Sequence, residues 1–143
     1  MGFKELQQLV LAGTLCLMSG AWAQNTSVAP EGAIAYILSP ANGAIVESPV
    51  AVKFGLSKMG VAPAGVDRNG TGHHHLLVDL EMLPAMGQSL PATEQIRHFG
   101  KGQTETIMEL APGTHTLQLL MGNFLHVPHH KPVLSEQIRI TVR

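Results

Sequence analysis

Residues 103–121 read QTETIMELAPGTHTLQLLM and contain two runs that favour β-strands, Gln103–Leu110 and His115–Met121. Pro112 and Gly113 separate the runs, and such a pair ends a strand and permits a turn. In the second run, leucine and methionine recur at every second position, the period at which one face of a strand is buried. We therefore expect two strands joined by a tight hairpin.

Further runs of the same kind flank this stretch, each bounded by proline, glycine or asparagine. They are Ala33–Leu38, Val50–Leu56, His73–Leu80 and Val133–Val142. The connection Glu81–Gly102 is longer than most loops of a compact domain, so we expect it to hide one short edge strand. Seven strands without an amphipathic helix predict an all-β, immunoglobulin-like antiparallel β-sandwich over residues 33–143.

The period-two pattern also predicts which side chains form the core of this sandwich. On the strand His73–Leu80, the residues at even positions are the more apolar set, which places His74 with them and turns His73, His75 and Asp79 to the other face. The predicted core residues are Leu76, Val78, Leu80, Leu117, Leu119, Ile138 and Ile140.

Residues 1–23 have the pattern of a secretory signal peptide, with an apolar run from Leu9 to Met18 and Ala21-Trp22-Ala23 before the cleavage position. The apolar run is shorter than the ~20 residues that a membrane-spanning helix needs. Residues 24–32 are polar and small, and we expect them to form a flexible lead-in. The sequence thus predicts a periplasmic or secreted protein with no membrane span.

The amino-acid composition argues against several classes of function. The single cysteine, Cys16, lies within the predicted signal peptide, so the mature chain has no thiolate for a metal site or a nucleophile. The formal net charge of −1 offers no basic surplus for nucleic acid. The serines lack a nucleophile-elbow context and the carboxylates are scattered, so we predict that the protein is not an enzyme.

The eight histidines are the unusual feature, and all of them follow residue 23. In a seven-strand order, the start of the third strand, the segment before the fifth strand and the connection before the seventh lie at one end of the sandwich. We therefore predict a metal site for copper or zinc at that end, because neutral imidazole suits both ions. The predicted ligands are His73, His75, His98 and His126.

The remaining histidines have other expected roles. His115 opens a strand at the opposite end of the sandwich, and His129 and His130, between two prolines, are expected in an exposed loop. Met82 and Met86 are candidate thioether ligands for Cu(I). The alternative to a metal site is a hydrogen-bonded group of histidines in a module that binds a protein or a cell-envelope component.

Three segments resemble a family of small exported bacterial proteins classed as a domain of unknown function. They are GHHHLL at 72–77, HFGKGQTE at 98–105 and PGTHTLQL at 112–119, and Ser135-Glu136 fits the same family. The resemblance implies no activity. The spacing of Ser39-Pro40, Gly43 and Ser48-Pro49-Val50 is also similar to the first strands of periplasmic copper-resistance sandwiches.

The cleavage site is testable. We expect the mature protein to begin at Gln24, because Ala21 and Ala23 occupy the small-residue positions before the cut. The measurement is the intact mass of protein recovered from the periplasm. A mass that includes residues 1–23 would contradict the prediction and would indicate a retained anchor.

Overall fold

The computed structural model describes residues 27–143, so the predicted signal peptide and the start of the lead-in lie outside the described residues. Within 27–143 the chain forms nine strands and no helix. The strands are β1 (Ile34–Ser39), β2 (Ile45–Val46), β3 (Val50–Ser57), β4 (Gly60–Val61), β5 (Thr71–Val78), β6 (Ile96–His98), β7 (Glu105–Met108), β8 (Gly113–Gly122) and β9 (Ile138–Val142).

These strands form two sheets. The small sheet has the order β1-β3-β7, and the large sheet has the order β2-β9-β8-β5-β4, with β6 added on β5. The predicted all-β sandwich is confirmed. The seven expected strands are all present, and β6 is the hidden edge strand. The two additional strands, β2 and β4, have two residues each and pair in parallel with β9 and β5.

The predicted hairpin at Pro112-Gly113 is wrong. Strand β7 pairs with β3 in the small sheet, whereas β8 pairs with β5 and β9 in the large sheet. The Pro-Gly segment therefore carries the chain from one layer to the other. Gly113 has a φ of 136°, which favours glycine. Turn residues indicate a change of direction but do not identify the strand that each run pairs with.

The space between the sheets holds the main apolar core. Five of the predicted core residues are buried in it, and Ile138 packs against it partly buried; the five are Leu76, Val78, Leu117, Leu119 and Ile140. Leu80 is the exception, since it packs partly buried against a second apolar cluster. Strand β5 ends at Val78, and Asp79 has a φ of 51°, so the period-two alternation stops before Leu80.

The second cluster covers the outer face of the large sheet. It contains Leu77 of β5, Leu120 of β8, Ile96 of β6 and Leu90, with Met86 packed against it. The segment that follows β5 therefore crosses this face before it forms β6. A face that would otherwise meet solvent becomes a second interior, and side chains of β5 are buried on both sides of the sheet.

The core prediction can be tested by truncation. We expect Leu117→Ala to lower the free energy of unfolding by about 2 to 5 kcal/mol, because Leu117 is fully buried and the change leaves a cavity. Ile107→Ala is the matched control, since this side chain is 73% exposed and the expected change is within about 0.5 kcal/mol. Urea unfolding measures both. Equal losses would contradict the assigned core.

Candidate metal centre

Strand β5 turns its three histidines in two directions. His74 points into the main core, where its ring lies 5.1 Å from the ring of Phe54, centroid to centroid. Neither of its ring nitrogens has a hydrogen-bond partner. Burial lowers the pKa of His74 to about 4, and a backbone contact with Gln103 opposes this shift without reversing it. His74 is therefore a neutral core residue, separate from the other two histidines.

His73 and His75 lie on the outer face of the large sheet, as the alternation predicts. They are 0% and 1% exposed, and their ring centroids are 4.8 Å apart. A flat sheet surface would leave them in water. The segments that connect β5 to β6 and β8 to β9 cover the two rings and exclude solvent from them. No local sequence pattern around the histidines indicates this burial.

Strand β6 brings His98 to this pair. His98 is the last residue of β6 and stands directly opposite His75 in the antiparallel pairing with β5. The ring centroids of His98 and His75 are 5.2 Å apart, and those of His98 and His73 are 5.0 Å apart. His98 thus lies within the hidden strand, with its side chain exposed on one side.

A tight turn after β8 supplies His126. The side-chain oxygen of Asn123 accepts hydrogen bonds from the backbone N–H of Leu125 and Val127, at 2.9 and 3.0 Å. His126 adopts a φ of 65°, and its carbonyl oxygen accepts a hydrogen bond from Leu90 at 2.9 Å. These bonds fix the backbone that aims the His126 ring at the other three.

The four predicted histidines therefore form one group, His73, His75, His98 and His126, in which one ring nitrogen from each lies within 4.8 Å of the others. Nε2 of His73 and Nδ1 of His126 are 3.1 Å apart. An ion held at ~2.0 to 2.1 Å from each nitrogen needs separations of about 3 to 4 Å. Ring rotations that move a nitrogen by less than about 1 Å would bring the two most distant nitrogens into that range. Metal binding by these four residues stays a prediction.

Electrostatics keep the buried pair neutral. Burial, together with the neighbouring histidines, lowers the pKa of His73 to about 4 and that of His75 to about 3. Burial and His126 also lower the pKa of His98. Metal binding requires an unprotonated imidazole nitrogen, so the low pKa values prepare His73 and His75 for a cation at neutral pH. The backbone of Leu120 opposes the shift at His75 without reversing it. By distance and angle, Nδ1 of His73 and both ring nitrogens of His75 have no hydrogen-bond partner.

The other histidines lie outside this group. His115, at the far end of β8, faces the Asp79 carboxylate at 2.7 Å from Nδ1 and the Ala111 carbonyl at 2.8 Å from Nε2. The hydrogen bond with Asp79 raises its pKa. His130 is exposed as expected, whereas the expectation for His129 is wrong because this side chain is 2% exposed. Its Nε2 lies 3.4 Å from the carbonyl oxygen of Thr71, 58 residues earlier in the chain, and local sequence does not reveal this long-range contact.

Two further features differ from what the sequence suggests. Met82 is 82% exposed and Met86 packs against the second apolar cluster, an arrangement that gives no support to thioether ligands for Cu(I). Gly122 is a residue that sequence reasoning missed. A Cβ atom at this position would lie 2.7 Å from Cε1 of His75, so glycine provides the space that the ring occupies.

The fold and the histidine group define a class: an all-β sandwich in which three histidines of the large sheet and one of the turn after β8 form a group that could hold a metal ion. The chain belongs to the family described as "Domain of unknown function (DUF4399)", which it matches over residues 52–143, the range that contains all four histidines. No curated protein and no solved structure gives a significant match. Residues 27–143 contain no helix that is long and apolar enough to cross a membrane.

The lowered pKa values predict how acid affects the metal-free protein. His73, His74 and His75 bind protons more weakly in the folded state than in the unfolded state, whose ordinary value is 6.5. Stability should be complete above about pH 6.5 and fall as the pH drops towards about 4, because unfolding near pH 5 takes up roughly three protons at these histidines. Urea unfolding at a series of pH values measures the slope.

Two variants control this measurement. His74→Leu should remove about one of the protons taken up and flatten the slope, since it replaces a buried titrating ring by an apolar side chain. His115→Ala should lower the stability by a constant amount below about pH 6.5 and leave the slope there unchanged, because the raised pKa of His115 gives stability that is fully present below about pH 6.5 and is lost only as the pH rises above it. A stability that stays constant from about pH 7 to about pH 4.5 would contradict the prediction.

Proposed function

We propose that the protein is a periplasmic or secreted metal-binding module for Cu²⁺ or Zn²⁺, with His73, His75, His98 and His126 as ligands. One observation carries the proposal. His75 is buried, neither of its ring nitrogens has a hydrogen-bond partner, and three other histidines surround it.

Burial of such a residue without a ligand lowers the stability of the folded protein. A buried polar group that lacks a partner destabilises a protein by about 1 to 3 kcal/mol, and His73 contributes a further unpartnered nitrogen at Nδ1. Each neutral imidazole has one lone-pair nitrogen, so coordination of a cation would satisfy that nitrogen of His75, which no protein donor reaches. A fold that retains this cost in its interior is consistent with a binding site.

The chemistry of the group favours particular ions. All four side chains supply neutral nitrogen, which suits Cu²⁺ and Zn²⁺, whereas Ca²⁺ and Mg²⁺ prefer oxygen ligands. The group contains no carboxylate among its members. Storage, delivery or sensing of the ion are the roles that follow, and we propose that the protein does not act as an enzyme.

A second candidate is a metal-free module that binds a protein or an envelope component. The hydrogen bond between His73 and His126 favours it, since part of the cluster is satisfied without an ion. The outer face of the small sheet also exposes apolar side chains, namely Ile34, Tyr36, Leu38 and Ile107. This candidate leaves the unpartnered nitrogens of His75 without a role.

Metal binding is tested by calorimetry with Cu²⁺ and Zn²⁺ on protein purified without a histidine tag. We expect one ion per chain at about pH 7.5, and an increase in the free energy of unfolding of about 2.7 kcal/mol when free metal is at about 100 times Kd. Replacing both His73 and His75 by alanine should abolish binding, because it removes the two ligands that the sheet holds in place.

Matched controls come from the same chain. His74 lies between the two ligands in sequence but faces the main core, and His115 lies at the other end of β8. The variants His74→Leu and His115→Ala should therefore both bind the ion normally.

The affinity for the ion should depend only weakly on pH. Between about pH 7.5 and about pH 5.5 it should fall by much less than the ~10⁴-fold that four ordinary imidazoles would give, because two ligands stay neutral. A wild-type protein that binds neither ion would favour the metal-free module.

A further inference from the structure

The four histidines differ in how firmly the fold holds them. His73 and His75 are buried in the middle of a strand that pairs on both sides, and His126 is partly buried in a hydrogen-bonded turn. His98 alone of the four is exposed. It ends a strand of three residues that pairs only with β5. Three ligands are therefore fixed by the fold, and the fourth lies between the site and solvent.

Gly100 explains how the His98 ring reaches its position. A Cβ atom at Gly100 would overlap Cε1 of His98 and lie 2.5 Å from its Nε2, so the ring folds back over the backbone two residues later in the chain. Gly100 does not have a left-handed φ, so its backbone would accept alanine without strain. The missing side chain therefore provides room for the His98 ring.

From this arrangement we infer that His98 is the exchangeable ligand of the centre, through which the ion is taken up and passed to an acceptor, and that Gly100 is its positioning residue. The inference rests on the proposed metal function and makes it more specific: the protein delivers a divalent cation rather than storing it permanently. The acceptor is a chelating group that can approach the exposed side, where His98 lies.

The transfer is a ligand substitution without a redox step. A donor atom of the acceptor forms a bond to the ion with its lone pair while the bond from His98 breaks, and the imidazole keeps its own lone pair and turns into solvent. Further donor atoms of the acceptor then replace the other three histidines. The charge of the ion does not change, and no proton transfer is required when the imidazoles are neutral.

The test follows the removal of Cu²⁺ from the loaded full-length mature protein by EDTA in a stopped-flow instrument. We expect a release rate that rises with EDTA concentration, because the chelator binds the ion before the protein has let it go. His98→Ala should keep measurable binding through three histidines and release the ion at least about tenfold faster. Gly100→Ala should weaken binding by about 10- to 100-fold, the range typical of residues that orient a ligand.

Two comparisons separate a positioning role from a general effect on folding. Gly87→Ala is the matched control, because a Cβ atom there meets no atom within 4 Å, and it should leave binding and release unchanged. In the double variant, Gly100→Ala should add less than about twofold to the effect of His98→Ala, since it acts through that ring. The unfolding free energy of each variant is measured in parallel.

The outcomes distinguish the inference from the proposal beneath it. A wild-type protein that does not load Cu²⁺ overturns the proposed function. A wild-type protein that loads Cu²⁺ but releases it at a rate independent of EDTA overturns the exchange through His98. The same holds if His98→Ala abolishes binding as completely as the change of His73 and His75, or if Gly100→Ala has the same effect with and without His98.

Discussion

The pairing of β5 with β8 sets which side chains enter the main core and which face the candidate metal centre. Six consecutive residues of β5 pair with β8, from His73 opposite Gly122 to Val78 opposite Leu117. This register sends Leu76 and Val78 into the main core and His73, His75 and Leu77 to the other face. A slip by one residue would exchange the two sets and would place the candidate ligands in the sandwich core.

The same pairing explains why the histidines can be buried at all. A sheet with one wet face would leave His73 and His75 hydrated, with ordinary proton affinity. Here the segment between β5 and β6 packs apolar residues on that face, and its Leu90 donates a hydrogen bond to the carbonyl of His126. The loss of water lowers the pKa values and leaves ring nitrogens without partners, and both effects prepare a site for a cation.

Much of the fold and the composition of the candidate site could be predicted, because both rest on short-range patterns. Alternation along β5 identified His73 and His75 as a pair, and the predicted strand order placed His98 and His126 at the same end of the sandwich. The failures share a different cause. The partner of β7 and the burial of His129 depend on contacts between residues far apart in the chain, which turn residues and local polarity do not encode. Leu80 leaves the predicted face because the alternation ends at Asp79, which hydrogen-bonds to the backbone of Thr116 on β8.

The order of the amino acids is enough to predict that the chain is all-β, which residues of each strand share a face, and that neutral imidazole is the main metal-binding chemistry available after residue 23. Strand periodicity and composition are local properties, so they can be read without coordinates. The folded chain is needed to see that His73 and His75 are buried, that Gly122 and Gly100 make room for the rings of His75 and His98, and that His98 alone of the four is exposed. These properties arise where segments that are distant in sequence exclude water from the same space, and no single segment contains that information.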